Sequence, residues 1–183
     1  MIQVNEESHS NDNIEVAMYD AETVQSLPEW DELTDTERLQ LLQEEEPEDS
    51  FTVHNVTTDD YREHIAALAD RNTTTSPRVV DFIAIGDSDS LESPSDSVLG
   101  NEHTRKRATD IEDIGGELQT ITLFSTDEGV GEDFIEAGLF DSSSGGMMFN
   151  RVLLEDDSRL RPKTQDYAVT IKINIQYLDA SQV

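Results

Sequence analysis

The stretch YAVTIKINIQY, residues 167–177, carries the clearest structural pattern in this chain. Apolar or aromatic side chains fall at every second position, namely at Tyr167, Val169, Ile171, Ile173, Ile175 and Tyr177. The intervening positions hold Ala168, Thr170, Lys172, Asn174 and Gln176. Because successive side chains of a β-strand point to opposite faces, this alternation predicts a strand with one buried face and one wet face, as in antiparallel sheets.

Further strand-length apolar runs precede this segment from Val79 onward. They are VVDFIAIG (79–86), LQTITLFS (118–125) and the two arms of FIEAGLFDSSSGGMMFNRVLL (134–154), with HTRKRATDI (103–111) as a further candidate strand. Several short strands separated by turn residues are typical of a sandwich. The sequence therefore predicts a mainly β protein whose body, residues 78–183, is an antiparallel β-sandwich.

The segment 134–154 predicts a hairpin with a loop from Asp141 to Gly146. Gly145 and Gly146 can adopt the positive φ that a chain reversal needs. Gly138, inside the first arm, predicts a bulge or the close approach of another backbone.

The region before residue 78 is predicted to hold an N-terminal arm and two short helices. Residues 1–50 are assigned to an extended arm, or a single strand, followed by a helix over 28–46. Thr34 and Glu37 form a capping box in that helix, and Pro47 ends it. Residues 51–77 are predicted to form a short strand and a helix over 58–71 that lead into the body.

The composition is strongly acidic. The 183 residues include 41 Asp and Glu against 12 Lys and Arg, for a net charge of −29, and only 35% are hydrophobic. High charge with low hydrophobicity is compatible with disorder, but also with adaptation to concentrated salt, where a Debye length of about 3 Å at 1 M screens like charges. The ordered apolar runs favour a folded, salt-adapted protein.

The same charge excludes several classes of partner. Phosphate backbones and anionic membranes would be repelled, so neither nucleic acid nor membrane is expected as a partner. The first ten residues, MIQVNEESHS, have no basic flank and no apolar core, and they predict no signal peptide. The chain contains no cysteine, so disulfides and thiolate chemistry are excluded.

The sequence contains no combination of residues that predicts an active site, a cofactor site or a metal site. The histidines His9, His54, His64 and His103 form no metal-binding or catalytic motif, and we interpret each as structural or on the surface. DSSSGG is not a nucleophile elbow, because a strand and not a helix follows it.

Asp87 and Asp89 have the spacing of the first calcium-loop ligands, but Leu91 occupies the third ligand position, so a solvated acidic loop is the preferred interpretation. Asn55 and Asn72 match the glycosylation pattern, which often arises by chance.

Five segments between residues 79 and 177 occur in an order that resembles a family of small structural proteins of tailed viruses. The segments are FIAIGDSD (82–89), LGNEHTRKR (99–107), LQTITLF (118–124), IEAGLFDSSSGGMMFNRVLL (135–154) and YAVTIKINIQY (167–177). Two features depart from the family pattern: EDDSRLRPK (155–163) interrupts the region after the hairpin, and about 50 residues extend the N-terminus.

The resemblance implies a virion component such as a tail fibre, baseplate, neck or capsid-surface protein. Together with the acidity, it suggests a tailed virus of a salt-loving archaeon and localisation in the virion. Such proteins usually form closed homo-oligomers, here a trimer or a pentameric or hexameric ring, and residues 1–50 are expected to dock on other virion proteins. The alternative is a virion module that binds host-surface glycans, although the loops 86–101 and 141–146 lack the aromatic residues that would favour it. An enzyme is the third hypothesis.

Overall fold

Two antiparallel five-stranded sheets stack face to face in a computed structural model, which describes residues 13–69, 74–114, 117–154 and 157–176. The first sheet has the strand order β2-β1-β10-β7-β6, and the second has the order β3-β9-β8-β4-β5. The protein is therefore mainly β, and the predicted antiparallel β-sandwich is confirmed.

The first sheet is built around the strand predicted from residues 167–177. Its strands are β1 (Asn13–Asp20), β2 (Asp49–His54), β6 (Asp110–Ile114), β7 (Glu117–Phe124) and β10 (Tyr167–Gln176). β10 lies between β1 and β7, so Ile173 stands opposite Ile14 on one side and Thr120 on the other. A central strand of this kind is protected on both edges, which suits the longest apolar alternation of the chain.

The second sheet contains β3 (Val56–Thr57), β4 (Phe82–Gly86), β5 (Glu102–Arg107), β8 (Glu136–Phe140) and β9 (Met148–Leu153). The hairpin β8–β9 forms as predicted, with a register shift between Leu139 and Phe140. Gly145 and Gly146 have φ values of 59° and 78°, as the chain reversal requires. A Cβ on Gly138 would lie 2.9 Å from the backbone oxygen of Asn150, so the predicted close approach is also confirmed.

Three helices accompany the sheets: α1 (Ala21–Ser26), α2 (Asp35–Leu42) and α3 (Asp59–Ala69), with a 3-10 turn at Trp30–Glu32. The predicted capping box is present, because Thr34 accepts a hydrogen bond from the Glu37 backbone and Glu37 accepts one from the Thr34 backbone. The helix predicted over 28–46 is shorter, and α1 was not predicted. Short polar helices like these are stabilised by packing on the sheet more than by propensity.

The main core lies between the two sheets. Val169, Ile171, Ile173 and Ile175 of β10 face it, together with Ile14, Val16 and Met18 of β1. Ile83 and Ile85 of β4, and Ala137 and Leu139 of β8, meet them from the opposite sheet. The predicted buried face of β10 is thus confirmed as far as Ile175, whereas Tyr177 lies outside the described residues.

The outer faces of both sheets are covered in part as well. Ala17, Tyr19, Leu123 and Ala168 face outward from the first sheet and pack against Val24, Trp30 and Leu42 of the helical segment. This layer explains why Ala168 and Thr170, on the predicted wet face of β10, are buried. The wet face is retained further along the strand, where Lys172 pairs with Glu15.

The predicted division of the chain is wrong in one respect. β1 and β2 belong to the first sheet and β3 to the second, so the sandwich starts at Asn13 and not at residue 78. Ile14, Val16 and Met18 are fully buried because they face the core between the two sheets. Of the predicted docking region 1–50, residues 13–42 are therefore largely committed to the fold of this chain, and residues 1–12 lie outside the described part.

Candidate functional site: an anchored loop on the second sheet

The most distinctive site is the long polar loop between β4 and β5, residues 87–101, which we call the anchored loop. It folds back over the outer face of the second sheet. Leu99 of the loop packs there in a small apolar cluster with Ala84, Phe140 and Met148. The loop is thus part of the folded body, although its sequence reads as a solvated segment.

A buried ion pair fixes the C-terminal end and the middle of this loop to the hairpin. Glu136 and Arg151 are 0% and 3% exposed, and Nε of Arg151 donates to Oε2 of Glu136 at 2.7 Å. The backbone N–H groups of Gly100 and Asn101 donate to the same carboxylate at 3.1 and 2.9 Å. Charge-assisted bonds of this kind are among the strong ones in proteins, so Glu136 holds the C-terminal end of the loop against the sheet.

The remaining donors of Arg151 hold the middle of the loop. Nη1 donates to Oδ2 of Asp96 at 2.7 Å, and Nη2 donates to the backbone oxygen of Ser90 at 2.9 Å. A longer bond of 3.4 Å reaches the backbone oxygen of Leu91. Burial works to lower the pKa of Arg151, but the bonds to Asp96 and Glu136 outweigh it and raise the pKa. Arg151 therefore stays charged and ties three points of the loop to one strand.

Leu91 is presented to solvent by this arrangement. Its backbone is bonded to a buried arginine, yet its side chain is 84% exposed, and that of Val98 on the same loop is 64% exposed. A leucine side chain that remains in water forgoes about 1.5–3 kcal/mol of burial energy. Isolated exposed apolar residues are common. Because the backbone of Leu91 is fixed, its side chain is suited to a contact with a complementary pocket of a partner.

Asp87 and Asp89, which have the spacing of the first calcium-loop ligands, lie in different surroundings. Nδ2 of Asn101 donates to Oδ1 of Asp87 at 2.6 Å, and Nε2 of His103 lies 2.9 Å from Oδ2. These bonds lower the pKa of Asp87, whereas Asp89 is exposed to solvent. In the described part of the chain, no group of three or more His, Cys, Asp or Glu side chains is arranged to hold a metal ion.

The serine and glycine tract of the hairpin is fixed in a similar way. Burial works to raise the pKa of Asp141, but the contact with Arg78 and bonds from the Met147 backbone and Ser142 together lower it. Arg105 donates to the backbone oxygens of Ser142 and Gly145, each at 2.7 Å, and its guanidinium lies over the ring of Phe140. The tract is an ordered turn, and its serines are not assembled with a catalytic base.

The other residues considered in the sequence are dispersed. His54 is exposed, His103 pairs with Asp87, and His9 and Asn72 lie outside the described residues. The side chain of Asn55 is buried where the chain passes from β2 to β3, so it is not accessible as a glycosylation acceptor in the folded protein. Among the described members of this set, His103 and Asp87 lie together, although the sequence did not predict them as a pair.

A cleft that the sequence did not predict lies between α3 and residues 75–80, and we call it the α3 cleft. Its inner part has a volume of about 260 Å³. Most of its lining is apolar and comprises Tyr61, Ile65, Leu68, Val80, Ile111, Leu118 and Phe149. The outer part, of about 560 Å³, is more polar and is bordered by Asp60, Glu63, Arg78 and Met147. His64 lines both parts and is buried, and its Nε2 has no hydrogen-bond partner among the residues that the structure describes.

Lys163 is a buried cation that no local sequence pattern marks. Its Nζ donates to the backbone oxygen of Ser125 at 2.9 Å, and the side chain is 0% exposed. Burial lowers its pKa from 10.5 to about 8, although the charges of Glu128 and Asp127 act in the opposite direction. Lys163 is therefore a structural link between the 125–132 turn and the segment before β10.

The fold and this site define a β-sandwich with an anchored surface loop. Comparisons of the chain with protein-family models, with curated proteins and with solved structures found no match. No helix in the described ranges is long and apolar enough to cross a membrane.

Replacement of Arg151 tests the anchor. Arg151→Met leaves the buried carboxylate of Glu136 without its cation, and we expect a loss of about 3–5 kcal/mol in the free energy of unfolding. The double variant Glu136→Gln/Arg151→Met should recover part of this loss, because no uncompensated charge remains. Urea unfolding in concentrated potassium chloride measures both effects, and hydrogen exchange of residues 87–101 reports release of the loop.

The matched control is Arg107→Met. Arg107 pairs with Asp81, but its side chain is 74% exposed. Such surface pairs contribute about 0–1 kcal/mol. Equal losses for Arg107→Met and Arg151→Met would contradict the anchoring role of Arg151.

Lys163 gives a prediction about pH. A lysine titrates at 10.5 in the unfolded chain but at about 8 in the folded protein. Between these values the unfolded chain binds more protons, so this residue makes the free energy of unfolding rise with pH, by at most about 1.4 kcal/mol per pH unit. Lys163→Met removes this contribution, so the stability of the parent relative to the variant should increase from pH 8 to pH 10.5. Parallel pH profiles for the two proteins would contradict the expectation.

Proposed function

We propose that this protein is a structural component of the virion of a tailed virus that infects a halophilic archaeon. In this role it acts as a homo-oligomeric subunit on the capsid surface or the tail, and not as an enzyme. The single observation that carries the proposal is the way the segments of the family resemblance meet in space.

Three of the five segments, 82–89, 99–107 and 135–154, lie far apart in sequence but meet in the second sheet around one hydrogen-bond network, whereas 118–124 and 167–177 pair with each other in the first sheet. FIAIGDSD leads into the anchored loop, LGNEHTRKR ends it, and the hairpin 135–154 supplies both Glu136 and Arg151. The glycine and asparagine of LGNE donate their backbone N–H groups to the glutamate of EAGLF. A shared physical role explains why these short patterns would occur together in one chain, which supports the resemblance beyond a chance match.

The surface supports the salt-loving host. Acidic residues exceed basic ones by 29, and a compact state with this excess repels itself unless the charges are screened. Many of the basic residues are already used in ion pairs within the chain, such as Lys106 with Asp35 and Glu128. The remaining carboxylates lie on the surface, and their mutual repulsion is reduced by screening in concentrated salt.

The glycan-binding alternative has less support. A carbohydrate site usually presents polar groups beside an aromatic face, and neither the anchored loop nor the loop 141–146 contains an aromatic residue.

The proposal is tested by measuring mass and secondary structure across a potassium chloride titration. In concentrated salt we expect a folded assembly with a mass that is an integer multiple of 20.5 kDa. In dilute buffer we expect dissociation or unfolding, because unscreened carboxylates repel one another. Sedimentation equilibrium and circular dichroism provide the two readouts, and labelled antibody on virus particles tests the location.

A charge-reduced variant is the matched control. Glu44, Glu45 and Glu46 are exposed neighbours, and Glu44→Gln/Glu45→Gln/Glu46→Gln removes three negative charges without touching the core. The variant should reach its folded assembly at a lower salt concentration than the parent. A monomer in concentrated salt would overturn the proposed assembly. A circular dichroism spectrum that does not change in dilute buffer would overturn the proposed salt adaptation.

A further inference from the structure

Two surface features are not required by the fold of a single copy. One is Leu91 on the anchored loop, and the other is the α3 cleft. Leu91 is the most exposed of the large hydrophobic residues in the described part of the chain, at 84%. The cleft has an apolar inner part of about 260 Å³.

Leu91 has the properties of a preformed contact residue. Arg151 bonds to the backbone oxygens of Ser90 and Leu91, and Arg151 itself is 3% exposed and paired with Glu136. The backbone beneath the side chain is therefore ordered before any partner arrives. Preorganisation of this kind reduces the entropy lost on association.

The α3 cleft has the properties of an acceptor. Its inner lining is mainly aliphatic and aromatic, and at its rim Val79 is 69% exposed. The guanidinium of Arg78, which pairs with Asp141 on one side, also lines the cleft and has a side chain that is 47% exposed. The acidic residues Asp89 and Glu92 flank Leu91, so a cation at the rim of the cleft complements the charge around the leucine.

We propose that Leu91 of one copy inserts into the α3 cleft of a second copy of this chain. The inference rests on the proposed assembly function and specifies the contact that would build it. Leu91 buries its apolar side chain in the inner cleft, while Asp89 and Glu92 approach Arg78. Because Asp60 and Glu63 border the outer cleft, the approach of an acidic loop is favourable only when salt screens these charges.

The contact is head-to-tail. The cleft opens beside Met147, at the hairpin end of the second sheet, whereas Leu91 is bonded to Arg151 further along β9. Two different surfaces of the chain meet, so each copy can donate its leucine to one neighbour and accept a leucine from another. Such heterologous contacts generate closed rings when the rotation between copies closes.

Two variants test the two sides of the contact. Leu91→Ser removes the donor side chain, and Val79→Asp places a charge at the rim of the acceptor. Both positions are exposed, so each variant should keep the circular dichroism spectrum of the parent. We expect the dissociation constant of the assembly in concentrated potassium chloride to rise about 10- to 100-fold for Leu91→Ser, as expected when one leucine is no longer buried.

Val130→Ser is the matched control, because Val130 is also an exposed apolar residue, at 44%, but lies outside both surfaces. It should leave the mass of the assembly unchanged. A mixture of the two interface variants supplies the decisive measurement. A Leu91→Ser copy keeps its cleft and a Val79→Asp copy keeps its leucine, so the mixture should form a dimer of twice 20.5 kDa and nothing larger.

The outcomes separate this inference from the proposed function. If the parent is a monomer in concentrated salt, both fail. If the parent assembles but Leu91→Ser or Val79→Asp assembles equally well, the assembly function stands and this contact is wrong. If both variants are monomeric and their mixture also stays monomeric, the contact is not head-to-tail and the inference is overturned.

Discussion

The buried pair of Glu136 and Arg151 is the interaction on which the conformation of the anchored loop depends. Removing two charges from water is expensive, and their attraction compensates for it only when the remaining hydrogen-bonding groups are satisfied. Here the carboxylate accepts from Arg151 and from two backbone N–H groups, while the guanidinium also binds Asp96 and two loop carbonyls. The pair therefore converts a long acidic loop, which on its own would be mobile, into a defined part of the surface.

Basic residues are scarce in this chain, and the other ion pairs also join segments that are distant in sequence. Lys106 on β5 reaches Asp35 at the start of α2 and Glu128 in the turn after β7. Arg159 contacts both Asp49 at the start of β2 and Asp157. With 12 basic residues against 41 acidic ones, these side chains link segments that are distant in sequence, and the excess carboxylates are left to the solvent. The acidic surface and the use of arginine and lysine in ion pairs between segments thus both follow from the same composition.

The sequence was sufficient where the pattern is local. The alternation of β10, the capping box at Thr34 and the glycines of the hairpin each depend on neighbours a few residues away, and each is found as predicted. The local sequence of β1 does not distinguish an arm from a strand, because its alternation of Ile14, Val16 and Met18 is short and its partner β10 lies about 150 residues later. The burial of Lys163 depends on the packing of distant turns, and no local signal marks it. Glu136 and Arg151 did leave a signal, since each is a charged residue inside an apolar strand of one hairpin, and such residues need a partner.

The rigidity of the anchored loop bears on how the protein would associate. A flexible loop loses conformational entropy when it is immobilised in an interface, and that loss subtracts from the gain of burying one leucine. Here the ordering is achieved during folding, through contacts that do not involve a partner. The apolar side chain of Leu91 can therefore contribute most of its burial energy to association. In concentrated salt the charges around it are screened, which reduces the repulsion that the proposed contact between acidic copies has to overcome.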